Sequence, residues 1–143
     1  MSTKLIIGNW KMNPSTLDEA KQIIKKTRMI ASTLSTTDVV ACPPYVYISA
    51  AVSSRDPHTL KIGAQSVSYE EGGPHTGEVS AAMLKDLGVQ YVIVGHSEER
   101  KAGDTDAQVA RRVNAILAAG MNAVLCVGEQ VRDESGAYQK KKK

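Results

Sequence analysis

Six residues of this 143-residue chain combine reactive side chains with one recurring setting. Asn9, Lys11, Gln65, His96, Glu98 and Glu129 each stand just past a short apolar run. An imidazole can donate or accept a proton near neutral pH, and a carboxylate can serve as a base. An ammonium group can hold an anion or stabilise negative charge as it develops. Brought together, such groups could polarise a carbonyl or bind a small phosphorylated molecule. Each residue also has a plainer reading. A histidine at a strand end can simply cap the next helix, a lysine there is usually solvated, and Glu98 could be an ion-pair partner in a helical first turn.

The elements that would gather these groups are legible. The strand-like runs are Lys4–Gly8, Asp38–Cys42, Leu60–Val67, Gln90–Gly95 and Asn122–Val127. Several are apolar on consecutive residues, as suits parallel strands covered on both faces. Thr16 and Glu19 have capping-box spacing ahead of Leu17, Ala20, Ile23, Ile24 and Ala31, which fall near one helical face. Thr105 and Gln108 repeat the box ahead of Val109, Val113, Ile116 and Leu117, with Gly120 as the stop. A shorter helix is expected from about Ser80 to Leu87, and a weakly patterned one near Tyr45–Ser53. The order β-α-β-α-β-α-β-α-β predicts right-handed crossovers and a parallel sheet. In such (β/α) folds the C-terminal strand ends face the site, so the six residues should converge there.

Composition narrows the function classes. Hydrophobic residues make up 42% of the chain, enough for a core, while aromatics are only 4%, with no Phe. The formal charge of +3 comes from the terminal run Lys140–Lys143, which supplies four of 18 basic residues against 15 acidic ones. The body is therefore near neutral, without the basic face that a nucleic-acid partner requires. The run itself reads as a solvated terminus. Cys42 and Cys126 lie in apolar runs without metal-ligand spacing, which suits free thiols in a reducing compartment. No metal and no cofactor are expected, since neither GxGxxG nor GxxxxGK[ST] occurs in context. No run approaches membrane-spanning length, and a soluble, cytoplasmic protein is expected.

Ordered motifs sit on these strand ends. GNWKMN (Gly8–Asn13), ACPP, GAQSV, HTGEVSAAMLKDLG, YVIVGHSEER and VLCVGE follow one another from about Lys4 to Glu129. In order and spacing they resemble the N-terminal half of the triosephosphate isomerase family. That resemblance implies a partial (β/α)8 barrel, an α/β open half-barrel of about five parallel strands with flanking helices. It divides the chain into residues 1–130, the half-barrel, and a polar, Lys-rich tail at 131–143. The activity implied is interconversion of dihydroxyacetone phosphate and glyceraldehyde 3-phosphate through an enediolate.

The resemblance also assigns roles. His96 matches the electrophilic histidine and Lys11 the active-site lysine. Asn9 should help position substrate, and Glu98 matches a buried carboxylate of the site. Thr76 matches a threonine that reaches across a dimer interface, while Cys126 and Glu129 match positions supporting the loop after the fifth strand. His58 and His75 match no catalytic position. Two departures stand out. Glu99 replaces a basic residue that ordinarily pairs with an acid near the position of Asp104, so two acids are expected to face one site. Ser66 stands where Asn is common. Both lie in the interface scaffold.

Members of the family run to roughly 250 residues, the usual size for eight βα units. Their sixth strand with the base glutamate, the lid and the later phosphate loops have no counterpart in this sequence. The chain alone is therefore expected to be inactive. Its open edges should recruit identical chains, as a homo-oligomer, or a complementary C-terminal fragment. A self-associating non-catalytic half-barrel and a small phosphate-binding module are the alternative readings.

Overall fold

The computed structural model describes residues 4–53 and 59–128. His58, Glu129 and the tail at 131–143 lie outside those residues. Five strands form one sheet in the order β1-β2-β3-β4-β5, every neighbouring pair parallel. They are β1 (Lys4–Asn9), β2 (Thr37–Cys42), β3 (Leu60–Ala64), β4 (Tyr91–Val94) and β5 (Asn122–Leu125). The connections carry α1 (Leu17–Ala31), α2 (Tyr45–Ser53), α3 (Ala81–Asp86), then α4 (Ser97–Lys101) and α5 (Asp106–Ala118). The sheet curls into an open half-barrel flanked by its helices.

Strand register sorts the side chains into two layers. Val39, Ala41, Ile62, Val92 and Ala123 fall on the helix-facing side, where they pack with Ile24, Ile48, Leu84 and Ile116. Alternate residues face the concave side, where Val40, Cys42 and Ile93 form a smaller buried cluster with Ile7, Tyr91, Val124 and Cys126. Burial on both faces explains why β2 to β4 read as continuous apolar runs. The edges differ. Leu5 and Ile6 of β1 and Leu125 of β5 remain about half exposed, at 47%, 54% and 49%.

Local signals behave as their chemistry requires, with some departures. Thr105 and Gln108 form the reciprocal capping box. Thr16 accepts from the Glu19 N–H, so the first half of its box is present. β3 ends at Ala64, earlier than the apolar run suggests, and Gln65 just beyond it donates to the Lys11 carbonyl in the loop after β1 and to the Cys42 carbonyl at the end of β2. The β4–β5 connection holds two helices, α4 being only five residues long and too short for periodicity to reveal. Leu117, counted into the apolar stripe of α5, is 58% exposed. Among the described residues no helix is long and apolar enough to cross a membrane.

Candidate functional site

The end of β1 supplies the first half of the site. Lys11 takes a left-handed backbone conformation with φ of 55°, unfavourable for a residue with a Cβ. Four hydrogen bonds hold the loop there. The Asn9 Oδ1 accepts from the Lys11 N–H at 2.9 Å. The Gln65 side chain donates to the Lys11 and Cys42 carbonyls, each at 2.9 Å. The Trp10 N–H donates to the Cys42 carbonyl at 3.1 Å. The ends of β1, β2 and β3 are thereby tied together, and the strained loop aims the lysine across the sheet.

The end of β4 supplies the second half. Gly95, with φ of 67°, turns the chain so that His96 becomes the N-cap of α4. Its Nδ1 accepts from the Glu98 N–H at 3.3 Å. A ring whose Nδ1 is an acceptor carries the proton of its neutral form on Nε2. Glu98 Oε2 lies 3.5 Å from the same Nδ1, close enough to pair with the ring when it is protonated.

Glu98 joins the two halves. Its Oε1 accepts from Lys11 Nζ at 2.7 Å, across 87 positions of sequence. The hydrogen bond from Lys11 holds the Glu98 carboxyl below the usual carboxylate range, helped by the charges of Lys11, His96 and Lys101. The resemblance implies a buried carboxylate here, but the Glu98 side chain is 58% exposed. It is an ion-pair partner on the open side of the half-barrel. Asn9, Lys11, His96 and Glu98 thus converge as their strand-end positions suggest. Thr76 does not join them. It lies in the exposed stretch from Glu71 to Glu78 and has no hydrogen-bond partner among the described residues.

The expectation of two acids facing one site is modified by a residue the sequence did not single out. Arg112 of α5 pairs with Asp104 in a largely buried ion pair, their side chains 14% and 12% exposed. Glu99 Oε2 and Arg112 Nε are both buried without a hydrogen-bond partner among the described residues. Burial, and then the charge of Glu99, push the neighbouring Tyr45 hydroxyl well above its usual value. Gln65 was legible as a strand-end polar residue, but its role in bracing Lys11 was not. Arg112, eight positions from Asp104, gave no local signal.

Cys42 is fully buried, and desolvation pushes its thiol up to about 12. Cys126 is raised for the same reason, though it remains partly exposed. Among the described residues no group of three or more His, Cys, Asp or Glu could hold a metal ion. What the arrangement offers is an imidazole oriented by the Glu98 N–H and an ammonium group held by the Glu98 carboxylate. Those groups stabilise an oxygen that gains negative charge.

Comparison with known proteins agrees with the half-barrel fold. The family model described as triosephosphate isomerase matches residues 4–142. The triosephosphate isomerase of Clostridium botulinum (strain Loch Maree / Type A3) is 38% identical over 142 residues, covering 99% of this chain and 56% of that protein. That of Moorella thermoacetica is 38% identical over 139 residues, 96% of this chain and 55% of the relative. That of Azoarcus sp. (strain BH72) reaches 44% over 134 residues, 93% and 53% respectively. The chain spans about half the length of the curated relatives it matches.

Proposed function

Because this chain belongs to the triosephosphate isomerase family, we propose that it supplies the electrophile-and-lysine half of a site that interconverts dihydroxyacetone phosphate and glyceraldehyde 3-phosphate. The observation that carries the reading is the convergence of Lys11, Glu98 and His96 from the ends of β1 and β4. The family is itself the standard example of a carboxylate base working with a neutral histidine electrophile. His96, with its proton on Nε2, would donate to the substrate oxygens as the enediolate forms. Lys11 would offset the negative charge of a phosphorylated triose and of the developing oxyanion. Asn9 would keep the Lys11 loop in place.

Proton abstraction needs a carboxylate within hydrogen-bond reach of the carbon acid. Glu98 is committed to Lys11 and to the first turn of α4. A positioned acid or base is worth ~10² to 10⁴ in rate, and it acts together with the groups that hold the substrate. This polypeptide alone should therefore show no turnover above background.

The half-exposed apolar residues on β1 and β5 support action with another polypeptide, either further identical chains or a complementary C-terminal fragment. Thr76 would then serve at an interface between copies. A reducing, cytoplasmic setting suits the two free thiols. The reading is tested by a coupled isomerase assay of the purified chain, with and without the C-terminal portion of a relative. Activity that appears only in the mixture, and is lost with His96→Gln, is the expected result.

A further inference from the structure

His96 enters the site through Gly95, and a side chain from the far end of the same helix reaches back to that point. Arg100 Nε donates to the Gly95 carbonyl at 2.8 Å. Its Nη1 lies 2.6 Å from Asp106 Oδ1, at the start of α5. The fit over the turn is close. A Cβ at position 95 would stand 2.9 Å from Arg100 Nη2 and 3.2 Å from Val109 Cγ1.

The two bonds are not equivalent. Asp106 is 92% exposed, so its ion pair with Arg100 is screened and contributes little. Gly95 is buried, and the Arg100 side chain is only 21% exposed. A charged donor on a buried carbonyl makes a strong, directional restraint. The peptide plane it restrains runs directly into the His96 backbone. That backbone sets the ring on the Glu98 N–H, and an electrophile must be held to a fraction of an ångström to act.

We infer that Arg100 is a positioning residue for His96, acting through the Gly95 carbonyl rather than by touching substrate. Its importance for catalysis rests on the reading of His96 as electrophile; its effect on the ring does not. The side chain couples three elements, the end of β4, the body of α4 and the first turn of α5.

The test uses imidazole ¹⁵N spectra of this chain at a pH where the ring is neutral. The parent should give a single His96 tautomer, protonated on Nε2. Arg100→Met keeps the apolar stem and removes the donor, and should give a mixed or broadened His96 signal. His75, in an exposed loop, should not change. Arg100→Lys can still donate to the Gly95 carbonyl and should largely restore the parent pattern. Asp106→Ala should leave it intact. An Arg100→Met protein that folds with an unaltered His96 signal overturns the proposal. So does an Arg100 Nε–H in the parent that exchanges as fast as an exposed guanidinium, a measurement that needs no variant. If His96 responds as expected but His96→Gln leaves the complemented activity intact, the positioning stands and the electrophile reading falls.

Discussion

Lys11 Nζ lies 2.7 Å from Glu98 Oε1, although 87 positions separate the two residues in the chain. One is presented by a left-handed turn after β1 and the other by the first turn of α4. The pair is exposed, so its value lies in orienting a cation beside the imidazole more than in stability. In Lys11→Met, the Glu98 carboxyl should titrate higher, back toward the ordinary glutamate range. In the parent it should titrate lower. The sign follows. The pair is intact above the ordinary carboxylate range and is lost as pH falls through the depressed value. Carboxyl ¹³C shifts followed from pH 7 to pH 2 check this, and identical titration midpoints in both proteins would contradict the contact.

A second pair shows the opposite pH sign. Lys61 Nζ lies 2.7 Å from Asp38 Oδ2 on the concave face, near the N-terminal ends of the strands. The hydrogen bond that Lys61 donates to the Asp38 carboxylate raises the lysine above its ordinary value despite some opposing desolvation. Its contribution is fully present below the ordinary lysine pKa and is lost as pH rises through the elevated one. Asp38→Asn should therefore narrow its stability gap to the parent only at strongly alkaline pH. Urea unfolding at pH 7 and at high pH would expose a gap that fails to close.

How much of this was legible depends on the range of the signal. Strand positions, helix caps and the clustering of Asn9, Lys11, His96 and Glu98 at strand ends follow from local pattern and parallel topology. The early end of β3 does not, and neither do the Gln65 bonds to the carbonyls of Lys11, after β1, and Cys42, at the end of β2, which join residues far apart in sequence. Nor does the charge balance around Glu99. It depends on Arg112, brought to Asp104 by the packing of α5 and by no spacing rule. Apolar stripes also misled at Leu117, because periodicity says which residues share a face and not whether anything covers its rim.

Arg112 gives a quantitative consequence. Arg112→Met should destabilise by about 3–5 kcal/mol, the usual cost of leaving a buried charge without its partner. Adding Asp104→Asn should recover part of that loss, since the buried acid that Arg112 pairs with is then neutral. Urea unfolding of the single and double variants makes the comparison. A single variant as stable as the parent would mean that Asp104 is not held by this pair.

Gly63 lies on the concave face, where space is tight. A Cβ there would stand 2.5 Å from Cys42 Sγ, 3.1 Å from the Tyr91 carbonyl and 3.2 Å from Val40 Cγ1. Gly63→Ala should cost about 1–3 kcal/mol through overpacking. An unchanged unfolding midpoint would show that the strands are more widely spaced than described.

The thiols should differ in kinetics. Cys42 is pushed up to about 12, so its thiolate fraction at pH 8 falls on the order of 10³-fold below that of an ordinary free cysteine near 8.5. Cys126 is also raised but partly exposed. Iodoacetamide should label Cys126 first and Cys42 only on unfolding. Peptide mapping over time tests the order, and early modification of Cys42 would contradict its burial.

On the proposed reading, this chain would carry the polarising half of an isomerase site and act together with another polypeptide. The most direct measurement is turnover of glyceraldehyde 3-phosphate by the purified chain, alone and after refolding with the C-terminal portion of a full-length relative. The account predicts background rates for the chain alone and measurable turnover for the complex, abolished by His96→Gln and sharply reduced by Lys11→Ala. Robust turnover by the chain alone would contradict it, and so would a complex whose activity survives His96→Gln.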